Sequence, residues 1–353
     1  MRIPSWLLGT VLLLAGCASR GPSMQDHIDA LMRQYDGPVP GASVLVLRDG
    51  DAVVRRTYGM ADLEAGVAAT PATHYRLASI SKQFTATAVL LLAQDGRLGL
   101  DDPVRRWLPS LPAAADTVTI RHLLTHTSGL IDYEDVMDPA DPRQVHDADV
   151  LRLLESQDRT YFAPGAGYRY SNSGYALLAL IVERASGQRY AQFLRERIFL
   201  PLHMDDAVAF EAGISQVRDR AYGYSFVDGA WKRTDQSTTS AVLGDGGIYA
   251  SIDDLAKWDA ALYDGRLLPV ETSRAAFTPA TQTDDPDVQY GFGWRITGET
   301  LWHSGESIGF RNVIVRWPKR HLTVVVLTNR DDPEPYETAK KISALAMRDP
   351  APR

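Results

Sequence analysis

The run Val324-Val325-Val326-Leu327 is unbroken and apolar. A strand of that kind has no polar face to turn to water, so it needs sheet neighbours and packed layers on both faces. A second apolar run, Ala42 to Leu47, lies near the opposite end of the chain. Ala52 to Tyr58 follows it, and Arg48-Asp49-Gly50-Asp51 between them carries the Asp-Gly signal of a hairpin turn. Tyr290 to Ile296, Thr300 to His303, Phe310 to Trp317 and Leu322 to Thr328 also read as strands, the last two joined by Pro318 to His321. The middle reads as helix and loop. A mostly apolar helix starts near Ser79 and closes at Gly96; Thr119 to Leu124, Ser173 to Ala185 before Gly187, and Tyr190 to Phe199 before Pro201 are further helices. Ser251 caps another that runs on to Tyr263, and Pro335 to Met347 closes the chain as a helix. These elements predict an α+β fold, with an antiparallel sheet built from both chain ends, flanking helices and a mostly helical inserted region. The sheet region is expected at about 26–100 and 250–353 and the helical region at about 101–249.

The first residues read as a targeting segment. Arg2, the apolar stretch Trp6 to Leu14 and the small pair Ala15-Gly16 give residues 1–16 the features of a secretory signal, too short to span a bilayer. Leu14-Ala15-Gly16-Cys17 resembles a bacterial lipoprotein box, so Cys17 is the expected lipidation site; the alternative is an ordinary signal peptide with an incidental cysteine. Ala18 follows it in place of an aspartate, and the resemblance to other lipoproteins then implies the outer membrane, facing the periplasm. Residues 17–25 read as a tether and 26–353 as the folded domain. Cys17 is the only cysteine, which excludes an intrachain disulfide. The net charge of −7 is spread without blocks, and no basic stripe suggests nucleic acid. No His-Glu-x-x-His and no Gly-Lys-Ser/Thr loop occurs, so no metal, phosphate-binding loop or cofactor is expected. Oligomeric state is not readable from this pattern.

Three short words occur in one order: Ser79-Ile80-Ser81-Lys82, Tyr170-Ser171-Asn172 and His303-Ser304-Gly305. Ser79 is the only serine with a lysine three residues on. Residues three apart share a helix face, so Lys82 lies beside the Ser79 hydroxyl and can take its proton. Burial and the positive helix end both disfavour the lysine charge, and the same dipole favours negative charge near Ser79. Tyr170 can relay a proton, and Asn172 can orient Lys82 and bind a substrate amide; the plainer alternative makes Asn172 a helix cap and Tyr170 a core residue. His303 is placed at a strand end, where a free edge can hold an extended substrate, and Gly305 lets backbone approach a ligand. The N–H groups of Ser79 and Glu306 are the candidate oxyanion hole. Gly305-Glu306-Ser307-Ile308-Gly309 also fits the nucleophile-elbow pattern, but the acid and histidine required after it are in the wrong order.

The stretch Arg76 to Ala86 resembles the active-site helix of the serine β-lactamase and penicillin-binding superfamily, in its class C-like branch with D,D-peptidases, D-aminopeptidases and esterases. His126-Thr127-Ser128-Gly129-Leu130, Gly165 to Asn172, Gly246-Gly247-Ile248-Tyr249-Ala250 and Trp302 to Gly305 are similar to further signatures of that family. The resemblance covers the chain from about Met24. It implies that Ser79 is acylated, that Lys82 and Tyr170 jointly move protons, that Asn172, His303, Ser304 and Gly305 bind substrate, and that water releases the acyl group. One departure stands out. Class C β-lactamases carry Lys-Thr-Gly as the third word, whereas this chain has His303-Ser304-Gly305. A histidine is mostly neutral near pH 7, and Glu306 adds negative charge that Arg311 can offset. Neutral or cationic acyl donors are therefore expected over carboxylate-bearing β-lactams. The leading expectation is a hydrolase of esters or D-amino-acid amides or peptides. Alternatives are a β-lactamase or D,D-carboxypeptidase, and a non-catalytic penicillin- or peptidoglycan-binding lipoprotein.

Overall fold

The computed structural model describes residues 21–349. The expected signal segment and Cys17 lie outside the described residues. Helix α1 (Met24–Met32) is capped by Ser23 and begins inside the stretch read as tether. The hairpin β1 (Ala42–Arg48) and β2 (Asp51–Tyr58) follows. Asp49 and Gly50 both take positive φ, 52° and 88°, as a tight two-residue turn between right-twisted strands requires.

Helix α2 (Lys82–Gln94) is buried from Lys82 to Leu92, as its all-round apolar sequence demands. Gly96, at φ +67°, turns the chain away from its end. Helix α3 (Ile120–Leu124) and the long helix α4 (Asn172–Ser186), closed by Gly187, belong to the inserted region, and α4 packs against α2. The helix expected over 190–199 is α-helical at Tyr190–Leu194 and widens to a π turn over Arg195–Phe199. The short helix α5 (Leu243–Gly246) and α6 (Ile252–Asp264), with its Ser251 and Asp254 capping box, lead back to the sheet.

The C-terminal strands are β3 (Thr281–Gln282), β4 (Gln289–Tyr290), β5 (Arg295–Thr297), β6 (Thr300–Ser307), β7 (Phe310–Trp317) and β8 (Leu322–Thr328), followed by α7 (Tyr336–Arg348). They join the N-terminal hairpin in an eight-stranded sheet of order β3-β4-β5-β6-β7-β8-β1-β2. Strand β8 lies between β7 and β1, antiparallel to both, and every residue of it is buried. Alternation divides its side chains between two layers. Val324 and Val326 join Val44, Val46, Val313 and Val315 under α1 and α7. Val325 and Leu327 join Leu45 and Ile314 on the face towards α2.

Two expectations need correction. The strand read over Tyr290 to Ile296 is two short antiparallel strands, β4 and β5. Gly291 and Gly293 fold it back, because a Cβ on Gly291 would lie 2.2 Å from the Ala276 carbonyl and one on Gly293 2.8 Å from the Lys82 carbonyl. The strand ending at His303 instead runs to Ser307, so His303 sits mid-strand.

Candidate active site

Ser79 lies in a 3-10 turn over Ala78–Ser81, directly before α2. Lys82 opens α2 and reaches back: its Nζ is 3.1 Å from Ser79 Oγ. The amine has two more acceptors, Asn172 Oδ1 at 2.8 Å and the Asp245 carbonyl at 2.9 Å. Three acceptors match the three donors of an ammonium; once deprotonated, the same nitrogen presents its lone pair to the serine. Lys82 is fully buried. Ser81 takes no part, since its Oγ accepts the Ile248 N–H.

The nucleophile stands on a strained turn. Ala78 has φ +49°, a conformation L-residues avoid. The turn is pressed against β6. A Cβ on Gly305 would sit 2.0 Å from the Leu77 carbonyl and 3.4 Å from the Ala78 Cβ. The close approach that Gly305 permits is therefore to the chain's own nucleophile turn, where the sequence suggested a ligand. Along β6, strand β5 pairs with Thr300 to Trp302 and no further. Among the described residues, no strand covers that edge of β6 from His303 to Ser307. This is the free edge expected beside Ser79.

Asn172 is the first residue of α4, and its cap is Ser171, whose Oγ accepts the Gly174 N–H. The Asn172 side chain is thereby free to hold Lys82 through Oδ1 and to donate through Nδ2 to Glu134, at 2.9 Å. Asp132 fixes the start of α4 by accepting the Asn172 N–H at 2.7 Å and the Ser171 hydroxyl at 2.8 Å. Tyr170 lies with its half-buried ring 4.9 Å from Lys82 Nζ.

His303 is buried, at 1% exposure. Its Nε2 meets the Tyr290 hydroxyl at 3.0 Å and its Nδ1 the Ser304 carbonyl at 2.6 Å. Burial, followed by the neighbouring Arg295, holds its pKa well below the ordinary histidine value. Alternation puts Ser304 and Glu306 on the Trp302 side of the sheet, opposite His303 and Gly305. Ser304 thus faces away from the nucleophile and offers substrate only its main chain. The Glu306 carboxylate is 3.9 Å from Arg311 Nε, as the offsetting charge requires. The elbow-like word around Ser307 is the turn between β6 and β7, not a strand-to-helix corner.

A cavity of about 80 Å³ opens at Ser79. Asn172 and Glu306 share its wall with Glu134, Asp245 and Arg76. Lys82, Tyr170 and the His303 to Gly305 segment are not part of that wall. The Arg76 guanidinium donates to the Ser240 carbonyl, and its remaining nitrogens are sealed from the cavity. Glu134 and Glu306 are the carboxylates of the open wall. Asp245 is pushed up to about 8, chiefly by burial and, against the pull of Lys82, by Asp147. Asp147 itself accepts the Leu243 and Gly244 N–H groups and so anchors α5, which carries the Asp245 carbonyl to Lys82.

Sequence reasoning missed Glu134, Asp132, Asp245 and Arg295. The glycines after Asp245 and the His126 word before Asp132 were the available signals.

A beta-lactamase family profile matches residues 24–347. The chain belongs to the beta-lactamase family. It is 33% identical over 316 residues to penicillin-binding protein 4* of Bacillus subtilis, covering 84% of this chain and 70% of that protein. It is 30% identical over 330 residues to a D-aminopeptidase of Gluconobacter oxydans, covering 91% of this chain but only 61% of the relative. Among solved structures it superposes on a D-amino acid amidase of Ochrobactrum anthropi with a TM-score of 0.79 at 25% identity, covering 92% of this chain and 97% of that one. Within this beta-lactamase family member, the first two words converge on one amine, and the third supplies the strand that holds the nucleophile turn.

Proposed function

We propose that this serine hydrolase works through an acyl-enzyme on Ser79 and cleaves esters or amides and peptides of D-amino acids, with a preference for donors that carry a free amine. The observation that carries the reading is the Lys82 amine held between Ser79 Oγ and Asn172 Oδ1. Ser79 Oγ attacks the acyl carbon while its proton passes to the Lys82–Tyr170 pair. The N–H groups of Ser79 and Glu306 receive the oxyanion. The pair returns the proton to the departing alcohol or amine, and water attacks the ester on Ser79. Asn172 keeps Lys82 in place and meets the substrate amide. His303, Ser304 and Gly305 hold an extended donor along the open edge of β6. Glu134 at the cavity wall suits an ammonium group on the donor. The names of the D-aminopeptidase and the D-amino acid amidase agree with that substrate class. The test is a panel of short p-nitrophenyl esters, D-alanine amides and nitrocefin, each run against Ser79→Ala. Turnover of esters or D-alanine amides that vanishes in the variant supports the reading; equal rates in both proteins refute it.

One observation favours a second reading, a D,D-carboxypeptidase or β-lactamase. Arg295 lies beside the site, 5.5 Å from the Tyr170 ring, and is a cation that a substrate carboxylate can use. Nitrocefin turnover that exceeds ester turnover and collapses in Arg295→Ala would select this reading.

The lipid anchor belongs to the same proposal. Cys17 carries lipid and tethers the domain to the outer membrane, facing the periplasm; the support is the Leu14-Ala15-Gly16-Cys17 run. Cys17→Ser is expected to move the protein from the membrane to the soluble fraction, and an unchanged distribution contradicts the anchor.

A further inference from the structure

His126 lies outside the cavity wall and has no role in the mechanism above, yet it touches the chain on both sides of Tyr170. Its carbonyl accepts the Arg169 N–H at 3.0 Å. Its Nδ1 accepts the Ser171 N–H at 3.0 Å. Between these two bonds the imidazole lies against the Tyr170 ring, with centroids 4.4 Å apart and planes inclined by 32°. We propose that His126 is the positioning residue for Tyr170, gripping the backbone on either side of it and setting its ring under the Lys82 amine.

The local structure supports this over a role as core filler. His126 is 2% exposed and holds φ +58°. An apolar side chain would fill the volume but would leave the Ser171 N–H without its acceptor. Because Nδ1 accepts a main-chain N–H, the ring is the neutral tautomer with its proton on Nε2. That Nε2 has no hydrogen-bond partner among the described residues. The ring is enclosed instead by Tyr168, Tyr170, Tyr175 and Tyr290, with centroids 4.4 to 6.0 Å away. Burial, followed by Lys82, keeps the imidazole from charging. Protonation at Nδ1, which would break the bond to the Ser171 N–H, is thereby disfavoured. A left-handed backbone, a single acceptor tautomer and a ring contact all converge on Tyr170.

The proposal rests on the acyl-enzyme reading of Tyr170, and the test separates the two. His126→Asn, His126→Ala and Tyr170→Phe are compared singly, and each His126 variant is combined with Tyr170→Phe, on a p-nitrophenyl ester. Kinetic values are normalised to the folded fraction from near-UV circular dichroism. Asparagine tolerates positive φ and keeps an acceptor, so His126→Asn should retain more activity than His126→Ala. The alanine variant should lose about 10- to 100-fold in kcat with KM within about twofold, since a misplacement of about an ångström costs that much. In the Tyr170→Phe background the same changes should cost almost nothing further. Full multiplication of the two losses, or an unchanged kcat in both folded His126 variants while Tyr170→Phe is impaired, overturns the positioning role and leaves the Tyr170 reading standing. An unchanged kcat in Tyr170→Phe removes both.

Discussion

Gly305 and Leu77 are in such close contact that a Cβ on the glycine would stand 2.0 Å from the leucine carbonyl oxygen. Strand β6 thereby holds the backbone two residues before Ser79, and the left-handed Ala78 lies between them. Gly305→Ala must push the nucleophile turn off the strand. It is expected to lower stability by about 3 kcal/mol and kcat by about 100-fold or more. Thermal unfolding and ester kinetics check this; a variant with unaltered Tm and kcat would show that the contact is slack.

Among the described residues, Asn172 is the only side chain besides Ser79 that bonds the Lys82 amine. Asn172→Ala removes a 2.8 Å bond while leaving the Ser171 cap intact. The expected outcome is a kcat about 100-fold lower with Tm shifted by only a few degrees. If kcat holds and only KM rises, Asn172 binds substrate without orienting the lysine.

Asp245 supplies a pH signature. Its folded pKa is raised from 3.8 to about 8, chiefly by burial. A carboxyl raised in this way holds its proton longer folded than unfolded. The stability it contributes is complete below about 3.8 and is lost as pH rises towards about 8. Asp245→Asn removes that loss. The Tm of the variant relative to the native protein should therefore climb across this window and level off above it. A pH-independent difference contradicts the buried, proton-holding state of Asp245.

Glu134 tests the amine preference. Glu134→Gln keeps an acceptor for Asn172 Nδ2 but removes the charge. The kcat/KM ratio of D-alanine p-nitroanilide to its N-acetyl form should fall about tenfold, the worth of one hydrogen bond to a charged group. An unchanged ratio places the amine elsewhere or nowhere.

The legible parts of this protein were local or repetitive. Ser79 and Lys82 are neighbours because helical geometry makes positions three apart neighbours, whatever the rest of the chain does. The buried β8 strand was readable because four apolar residues in a row leave no face for water. The Asp49-Gly50 turn was readable because few residues accept two positive φ angles in succession. What escaped was set by packing between distant segments. The break at Gly291 to Gly293 exists because the Ala276 and Lys82 carbonyls press on those glycines. Gly305 was recognised as a point of close approach, but what approaches it lies more than 200 positions earlier in the sequence. Asp245 contributes a main-chain carbonyl to Lys82, and no side-chain motif announces a carbonyl. His126 and Asp132 act on the N-terminus of α4 from a loop without periodicity.

The central claim is that the Ser79 hydroxyl becomes an ester during turnover because the Lys82 amine lies 3.1 Å away. Its most direct test is rapid acid quench of the protein with a p-nitrophenyl ester, followed by intact-mass analysis and peptide mapping. The account predicts one acyl adduct on the peptide that contains Ser79, reduced in Lys82→Ala and absent in Ser79→Ala. Ester turnover that persists in Ser79→Ala, or an adduct mapped to any other residue, would contradict it.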